Sequence, residues 1–162
     1  MFLYPYNVTD SVSAKQFQIY REAAGRLGME LVEMALRTQA EVQEALTRSP
    51  NETVQGLLAP HSVSLNIPGF VLTATSEQAM AAMFTEVFYV ERGGLASYGP
   101  NLYESGQSAA RLVDKILKGT KPSEIPVEVN NNIKFGINLN VANQLGLTLP
   151  PEVLYQANRI IR

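Results

Sequence analysis

The segment from Gly93 to Gly119 constrains the fold more than any other part of the chain. Its first half, Gly93 to Pro100, contains three glycines and a proline, so we expect a short extended segment with close backbone contacts. Its second half predicts a helix that Asn101 caps, that Glu104 joins in a capping box and that Gly119 ends. This order indicates either a crossing between two lobes or a strand–turn–helix corner within one domain.

The predicted helix has one apolar face. Lys115 and Lys118 lie in its last turn, where positive charge interacts favourably with the helix dipole. Apolar or small residues recur at helical spacing: Leu102, Gly106, Ala109, Leu112, Val113, Ile116 and Leu117.

Length and composition exclude several classes of protein. The 162 residues are about one domain's worth of chain. The absence of cysteine excludes disulfides and thiolate catalysis, and a single histidine argues against a zinc site. A net charge of −2 without a basic run offers nothing for a nucleic acid to bind. No apolar run is long enough to span a bilayer, and the opening residues lack the basic region and cleavage site of a signal peptide.

The first third of the chain alternates between strand and helix patterns. The first predicted element is a strand at Phe2 to Tyr6, which either Pro5 or the turn Asn7–Asp10 ends. A helix from Ser13 to Leu27 and a strand from Met29 to Leu36 follow. A capping box at Thr38–Glu41 then begins a helix that Ser49–Asn51 breaks, and a buried strand runs from Val54 to Ala59. A β-α-β-α-β series predicts parallel strands with helices on both faces of the sheet, joined by right-handed crossovers.

The remaining elements are less regular. Before residue 91 we expect a loop or broken strand at Ile67–Leu72, a helix at Ser76–Met83 with Ser76 as its N-cap, and strand or helical turn or both at Phe84–Val90. After Gly119 we expect a connection at Lys121–Pro126, a half-exposed strand at Lys134–Leu139 and a short helix that Asn140 caps and Gly146 ends. A terminal helix should start at Pro150-Pro151, and its apolar stripe should comprise Val153, Leu154, Ala157 and Ile160 or Ile161.

Polar and aromatic residues collect at predicted strand ends: Tyr6, Asn7 and Thr9; Pro60, His61 and Ser62; and Ser97, Tyr98 and Asn101. In an open parallel sheet such residues lie at the carboxyl edge, where ligands bind. Tyrosine and asparagine hold amino or carboxylate groups by hydrogen bonds but do not cleave bonds. No phosphate loop, dinucleotide fingerprint or nucleophile elbow is present, so we expect a binding protein without a cofactor rather than an enzyme.

The sequence from Gly93 to Asn101, followed by Ala109 to Gly119, resembles the C-terminal signature of ABC-transporter substrate-binding proteins with the type I periplasmic-binding fold. The similarity continues through Lys121–Glu128, Ile137–Leu139 and Leu145–Pro151, and it includes Tyr6-Asn7, Ala23-Ala24 and Leu27–Leu31 near the start. It therefore covers nearly the whole chain.

The resemblance implies a three-layer α/β/α fold with a mainly parallel, flavodoxin-like sheet, equivalent to one lobe of a type I periplasmic-binding protein. It places the second lobe at 1–94, a hinge crossing and a helix that packs on the first lobe at 95–119, and a C-terminal strand and helices that complete the fold at 120–162. The chain would correspond to the C-terminal half only, because a complete member is about twice as long and carries a first lobe and an export signal.

The function that the resemblance implies is a solute receptor of an ABC importer, periplasmic or anchored outside the cytoplasmic membrane. It would bind a small molecule such as an amino acid in a cleft between two lobes and deliver it to the permease. The alternatives are a ligand-sensing domain of a regulatory protein with the same fold, and an enzyme with a flavodoxin-like sheet, which lacks a nucleophile–base pair here.

The ligand-binding residues that we predict are Asn7, Ser97, Tyr98, Tyr6, Thr9 and His61. For each of them the alternative role is a turn or a structural hydrogen bond, and for His61 it is an exposed loop position. Because a lone lobe holds half a cleft and leaves the stripe of the 101–119 helix uncovered, we also expect a homo-oligomer that exchanges this helix or its flanking strand.

Overall fold

The computed structural model describes residues 1–48, 54–59 and 69–162, which surround one seven-stranded sheet. The strands are β1 Phe2–Asn7, β2 Leu31–Leu36, β3 Gly56–Leu58, β4 Ala81–Phe84, β5 Ala96–Pro100, β6 Ile133–Asn138 and β7 Arg159–Ile161. They lie in the order β2-β1-β3-β4-β5-β6-β7. Neighbouring strands are parallel except β5 and β6, which pair antiparallel. The predicted α/β fold with a mainly parallel sheet is confirmed.

Seven helices connect or follow the described strands. They are α1 Ser11–Arg26, α2 Gln39–Arg48, α3 Phe70–Glu77, α4 Val87–Glu91, α5 Leu102–Leu117, α6 Leu139–Gln144 and α7 Pro151–Gln156, with a 3-10 turn at Pro122–Glu124. The connection predicted at Lys121–Pro126 therefore contains a short turn, and the helix predicted after Asn101 is α5.

Side-chain alternation along β1 separates the two faces of the sheet. Leu3 belongs to the larger core cluster, which includes Val42 and Leu46 of α2 and Val71 of α3. Tyr4 and its neighbour two residues on, Tyr6, point to the other face and pack against Phe17 of α1. Because successive side chains of a strand alternate between faces, α1 covers one side of the sheet and α2 and α3 the other. This arrangement is the predicted three-layer fold.

The capping signals at Asn101 and at Thr38–Glu41 and three glycine stop signals act as the sequence predicts. Asn101 accepts hydrogen bonds from the backbone N–H groups of Tyr103 and Glu104 and donates its side-chain amide to the Glu104 carboxylate. Thr38 Oγ1 accepts from the Glu41 N–H, while the Glu41 carboxylate accepts from the backbone N–H of Arg37. The glycines predicted to end helices, Gly28, Gly119 and Gly146, all have positive φ.

Two predictions between residues 67 and 84 are wrong. Phe70–Glu77 is the helix α3 rather than a loop or broken strand, and Ser76 lies near its end rather than at an N-cap. A turn with positive φ at Ala79 follows, and Ala81–Phe84 is then strand β4 between β3 and β5. The alanine- and methionine-rich sequence favours helix, but pairing with two parallel neighbours determines the strand.

Of the two ends predicted for β1, the turn that starts at Asn7 is confirmed and Pro5 is wrong, because the strand continues to Asn7. Two further boundaries differ from prediction. The N-cap of α6 is Asn138 rather than Asn140, because β6 runs directly into the helix. The terminal helix α7 stops at Gln156, and Ile160 and Ile161 belong to β7, which pairs with β6. The break predicted at Ser49–Asn51 lies outside the described residues.

Gly99 supplies a test of the close contact between β5 and the loop after β4. A Cβ at this position would lie 1.9 Å from the carbonyl oxygen of Thr85, a backbone atom that cannot move aside. We expect Gly99→Ala to lower the free energy of unfolding by about 1–3 kcal/mol, the usual cost of overpacking. Urea denaturation measures this change.

The matched control is Gly25→Ala in α1, where nothing lies within 4 Å of the added methyl group. This substitution should raise the free energy of unfolding by about 0.4–1 kcal/mol, because alanine restricts the unfolded chain. Equal stability of the Gly99→Ala variant and the original chain would contradict the contact.

Candidate functional site

The carboxyl ends of five parallel strands lie at one edge of the sheet, which we call the carboxyl edge. Asn7 of β1 pairs with Leu36 of β2, and β3, β4 and β5 run in the same direction. Because β6 is antiparallel, its first residue, Ile133, pairs with the last residue of β5, Pro100. Loops that follow β1, β2, β4 and β5 therefore meet the start of β6 here, where open α/β sheets bind ligands.

Asn7 begins a tight turn at this edge. Its Oδ1 accepts hydrogen bonds from the backbone N–H of Thr9 at 2.9 Å and from Thr9 Oγ1 at 2.7 Å. Asp10 then caps α1 by accepting from Val12 N and from both Ser13 N and Ser13 Oγ. These hydrogen bonds, that of the Ser13 hydroxyl first, lower the pKa of Asp10. The turn holds Asn7 and the exposed Thr9 at the carboxyl edge.

Tyr6 lies mainly under α1. Its ring stacks on Phe17 with the ring centroids 5.0 Å apart, and its hydroxyl donates a hydrogen bond to the Glu33 carboxylate on β2. That hydrogen bond, with burial, raises the pKa of Tyr6. The structure thus gives this side chain a packing contact and a cross-strand hydrogen bond.

Ser97 and Tyr98 point to opposite faces of β5. Ser97 has no exposed surface, and its Oγ has no hydrogen-bond partner among the described residues. It lies against Gly136 of β6, where a Cβ would come within 2.9 Å of this oxygen. Tyr98 is 57% exposed and contacts Phe135 edge-on, with centroids 6.0 Å apart. The side chains of Ser97 and Tyr98 therefore do not line the same pocket.

Tyr98 lines a recess of about 80 Å³ near the carboxyl edge, which we call the tyrosine recess. It is formed by Tyr4, Tyr20, Leu58, Ala59, Met83, Phe84, Thr85 and Tyr98. Burial, and then the nearby Tyr20, raises the pKa of Tyr4 to about 12, so this hydroxyl stays neutral. The recess is aromatic and uncharged, as suits an apolar group.

A second recess of about 190 Å³ at the same edge carries both signs of charge, and we call it the charged recess. Its lining comprises Glu86, Val87, Phe88, Pro100, Asn101, Leu102, Tyr103 and Lys134. Lys134 Nζ lies 3.9 Å from a Glu104 carboxylate oxygen. Tyr98 lines the tyrosine recess and Pro100 lines the charged recess. These two residues lie two positions apart on β5, roughly 7 Å along the strand.

The sequence interpretation missed Thr85, Glu86 and Lys134. Thr85 and Glu86 directly follow β4, and a correct strand assignment there would have placed them at the carboxyl edge. The remaining candidate, His61, lies outside the described residues together with Pro60 and Ser62.

The described residues contain no cluster of histidine, aspartate and glutamate that would hold a metal ion. Within the same ranges, no helix combines the length and the apolar character that crossing a membrane requires. The described part of this edge presents aromatic surface, amide and hydroxyl groups, carboxylates and the Lys134 ammonium. Groups of these types are suited to hydrogen bonding and charge pairing with a small polar solute, and among the described residues they form no nucleophile–base pair.

A family model for the ABC transporter substrate binding protein matches residues 3–161 of the chain. No curated protein matches the sequence.

Solved structures share the fold. An ABC domain from Streptococcus pneumonia in complex with L-Trp is 25% identical, with a TM-score of 0.86 and 99% of this chain covered. A conserved domain protein from Vibrio cholerae is 28% identical, with a TM-score of 0.83 and 98% of the chain covered. A ligand-free, open substrate binding protein with adhesive properties from Clostridium difficile is 23% identical, with a TM-score of 0.66 over 99% of this chain. The chain spans 54% of the length of each of these three structures.

Replacing Ser97 tests whether its hydroxyl has a partner. Because the buried oxygen accepts and donates no hydrogen bond among the described residues, we expect Ser97→Ala to raise the free energy of unfolding by about 1 kcal/mol. The control is Thr75→Val, since the buried Thr75 Oγ1 donates to the carbonyl oxygen of Val71 at 2.8 Å. The Thr75→Val substitution should lower the free energy of unfolding by about 1 kcal/mol. If both variants lose stability equally in urea denaturation, Ser97 has a partner and the expectation is wrong.

Proposed function

Because the chain belongs to the ABC transporter substrate binding protein family, we propose that it binds a small solute at its carboxyl edge and delivers it to an ABC permease. Members of this family bind substrates and are not enzymes. The proposal places the protein outside the cytoplasm, where an importer collects its solute.

The observation that carries this proposal is the convergence of polar side chains at the carboxyl edge of five parallel strands. Asn7 ends β1 and Thr9 follows it, Glu86 follows β4, and Lys134 lies at the start of β6. Their donors and acceptors come from different elements of a rigid sheet, which is how a site fixes the orientation of a small molecule. None of them forms the acid–base pair that bond cleavage needs.

We propose an amino acid with an apolar or aromatic side chain as the solute. The charged recess contains one carboxylate, Glu86, and one ammonium, Lys134, which match the α-ammonium and α-carboxylate of a zwitterion. The neighbouring tyrosine recess suits the side chain. The related Streptococcus pneumonia domain contains L-Trp, which supports this class.

Among the residues predicted from the sequence, Asn7, Thr9 and Tyr98 carry the proposed site directly. Tyr6 has a supporting role, because its hydrogen bond to Glu33 joins β1 to β2. Ser97 also has a supporting role, because its side chain packs against Gly136 where β5 meets β6. His61 follows β3 in the sequence and lies outside the described residues.

The proposed domain organisation has residues 1–94 as one lobe, 95–119 as a crossing and 120–162 as the segment that completes the fold. In support of a crossing, α5 follows β5 after the single residue Asn101 and buries none of its own residues. A lobe of this kind supplies one wall of a cleft between two lobes, and the proposal also includes self-association of the chain.

Thermal unfolding of the 162-residue chain with a panel of amino acids tests the proposal. Ligand at 100 times its dissociation constant stabilises the folded state by about 2.7 kcal/mol, which raises the melting temperature. We expect aromatic L-amino acids to raise it and sugars to leave it unchanged. Glu86→Gln and Tyr98→Ala should each weaken binding at least about tenfold, the loss of one charge-assisted or aromatic contact.

The matched control is Glu22→Gln on the polar side of α1, far along the chain from any strand end, and it should bind like the original chain. If no amino acid shifts the melting temperature, or if Glu22→Gln loses as much affinity as Glu86→Gln, the proposed site is wrong.

A further inference from the structure

The carboxylate of Glu86 has no partner among the described residues. Glu86 is the N-cap residue of α4, yet its side chain accepts no hydrogen bond from that helix. It is partly buried, it lines the charged recess, and it takes part in none of the ion pairs found in the described ranges. Because a carboxylate that is partly removed from water is stabilised by a partner, Glu86 is suited to a cation that the solute brings.

Lys134, the other charged residue of the recess, already faces a carboxylate of its own chain. Its Nζ lies 3.9 Å from an oxygen of Glu104. Two asparagine amides hold this carboxylate, since Asn101 donates to one oxygen at 2.9 Å and Asn132 donates to the other. A solute carboxylate that approaches Lys134 therefore also meets the negative charge of Glu104.

The segment that leads into β6 fixes the position of Glu104. The backbone carbonyl of Asn132 accepts a hydrogen bond from the Asn101 N–H at 3.0 Å, and the Asn132 N–H donates to Asn130 Oδ1 at 2.9 Å. The Asn130 amide donates in turn to Ser105 Oγ at 2.7 Å. These hydrogen bonds join the end of β5, the first turn of α5 and the start of β6. The Glu104 carboxylate therefore stays beside Lys134 independently of a solute.

Two exposed aromatic rings line the charged recess. Phe88 is 49% exposed and Tyr103 is 74% exposed. The Arg92 guanidinium lies 4.3 Å from the centroid of the Phe88 ring, so this ring already attracts a cation. Arg92 forms no ion pair with Glu86 in the part of the chain that the structure describes. Because the faces of aromatic rings are negative, they favour an ammonium group in the recess and disfavour a carboxylate.

We propose that the charged recess recognises its solute by the ammonium group, and that the carboxylate of an amino acid is dispensable for binding. The two charges of the recess then contribute unequally: Glu86 binds the solute's ammonium, whereas Lys134 is largely satisfied by Glu104. The ligand class is a primary amine with an aromatic or apolar body, and an aromatic amino acid is one member of it. This inference rests on the proposed function, because it places the solute in the same two recesses.

Ligands that differ by one group at a time test the proposal on the 162-residue chain. They are L-phenylalanine, L-phenylalanine amide, phenethylamine, N-acetyl-L-phenylalanine and 3-phenylpropionate. Isothermal titration calorimetry measures their dissociation constants at about pH 6, which is below the ordinary pKa of an α-amino group, so that the amines are charged.

The amide and phenethylamine keep the ammonium group and lack the carboxylate. We expect their dissociation constants to lie within about threefold of that of L-phenylalanine, because a charge that already has a partner at an exposed site contributes little. N-acetyl-L-phenylalanine and 3-phenylpropionate keep the carboxylate and lack the ammonium group. They should bind at least about tenfold more weakly than L-phenylalanine, since each loses a charge-assisted hydrogen bond to Glu86.

Substitution of Glu104 gives an independent measure. Glu104→Gln removes the negative charge beside Lys134 and frees this ammonium group for a solute carboxylate. We expect L-phenylalanine to bind about threefold more tightly to this variant, whereas phenethylamine, which has no carboxylate, should gain nothing.

The matched control is Glu128→Gln. The Glu128 carboxylate also accepts from a side chain, Arg111, but Glu128 does not line the charged recess. Both ligands should bind this variant as they bind the original chain. Far-UV circular dichroism verifies that the two variants are folded.

Each result separates this inference from the proposed function. If the amide and phenethylamine lose as much affinity as N-acetyl-L-phenylalanine, the carboxylate anchors the solute, and this inference is wrong while the proposed function stands. If phenethylamine binds and L-phenylalanine does not, this inference stands and the proposed solute is wrong. If none of the ligands binds, both are wrong.

Discussion

The structure depends on the absence of side chains at two positions of neighbouring strands. Gly99 brings β5 against the Thr85 carbonyl, and Gly136 admits the Ser97 side chain between β5 and β6. These contacts hold β5 between a parallel and an antiparallel neighbour. Without the reversal at β6, the start of that strand would not lie at the carboxyl edge, and Lys134 would not lie near Glu86.

Local signals in the sequence predicted most of the fold, because caps, stops and strand alternation depend on neighbouring residues. Asn101, Gly28 and Gly146 ended or began helices as expected. The prediction at Ala81–Phe84 failed because non-local contacts, rather than local signals, determine this strand. Its alanine and methionine residues favour helix in isolation, and only the parallel partners on both sides, distant in sequence, determine a strand.

The candidate site, like the fold, was predictable from the sequence where local chemistry determines the structure and not where tertiary packing does. The turn at Asn7 follows from local chemistry, so its position was foreseen. Strand alternation places Ser97 and Tyr98 on opposite faces of β5, but which of the two is buried depends on which face carries α4. The packing of Tyr6 likewise depends on α1, and single-sequence patterns specify the position of neither helix. Glu86 escaped notice because the strand before it was assigned as helix.

The single residue between β5 and α5 has a mechanical consequence. The Asn101 side chain accepts a hydrogen bond from the Tyr103 N–H of α5, and its carbonyl oxygen accepts one from the Asn130 side-chain amide, so this short junction is held in place. The 16-residue helix then extends about 24 Å from a junction at the carboxyl edge. A rotation of the helix by about 5° at this junction would displace its far end near Leu117 by roughly 2 Å, so small changes at the carboxyl edge would become larger ones at Leu117.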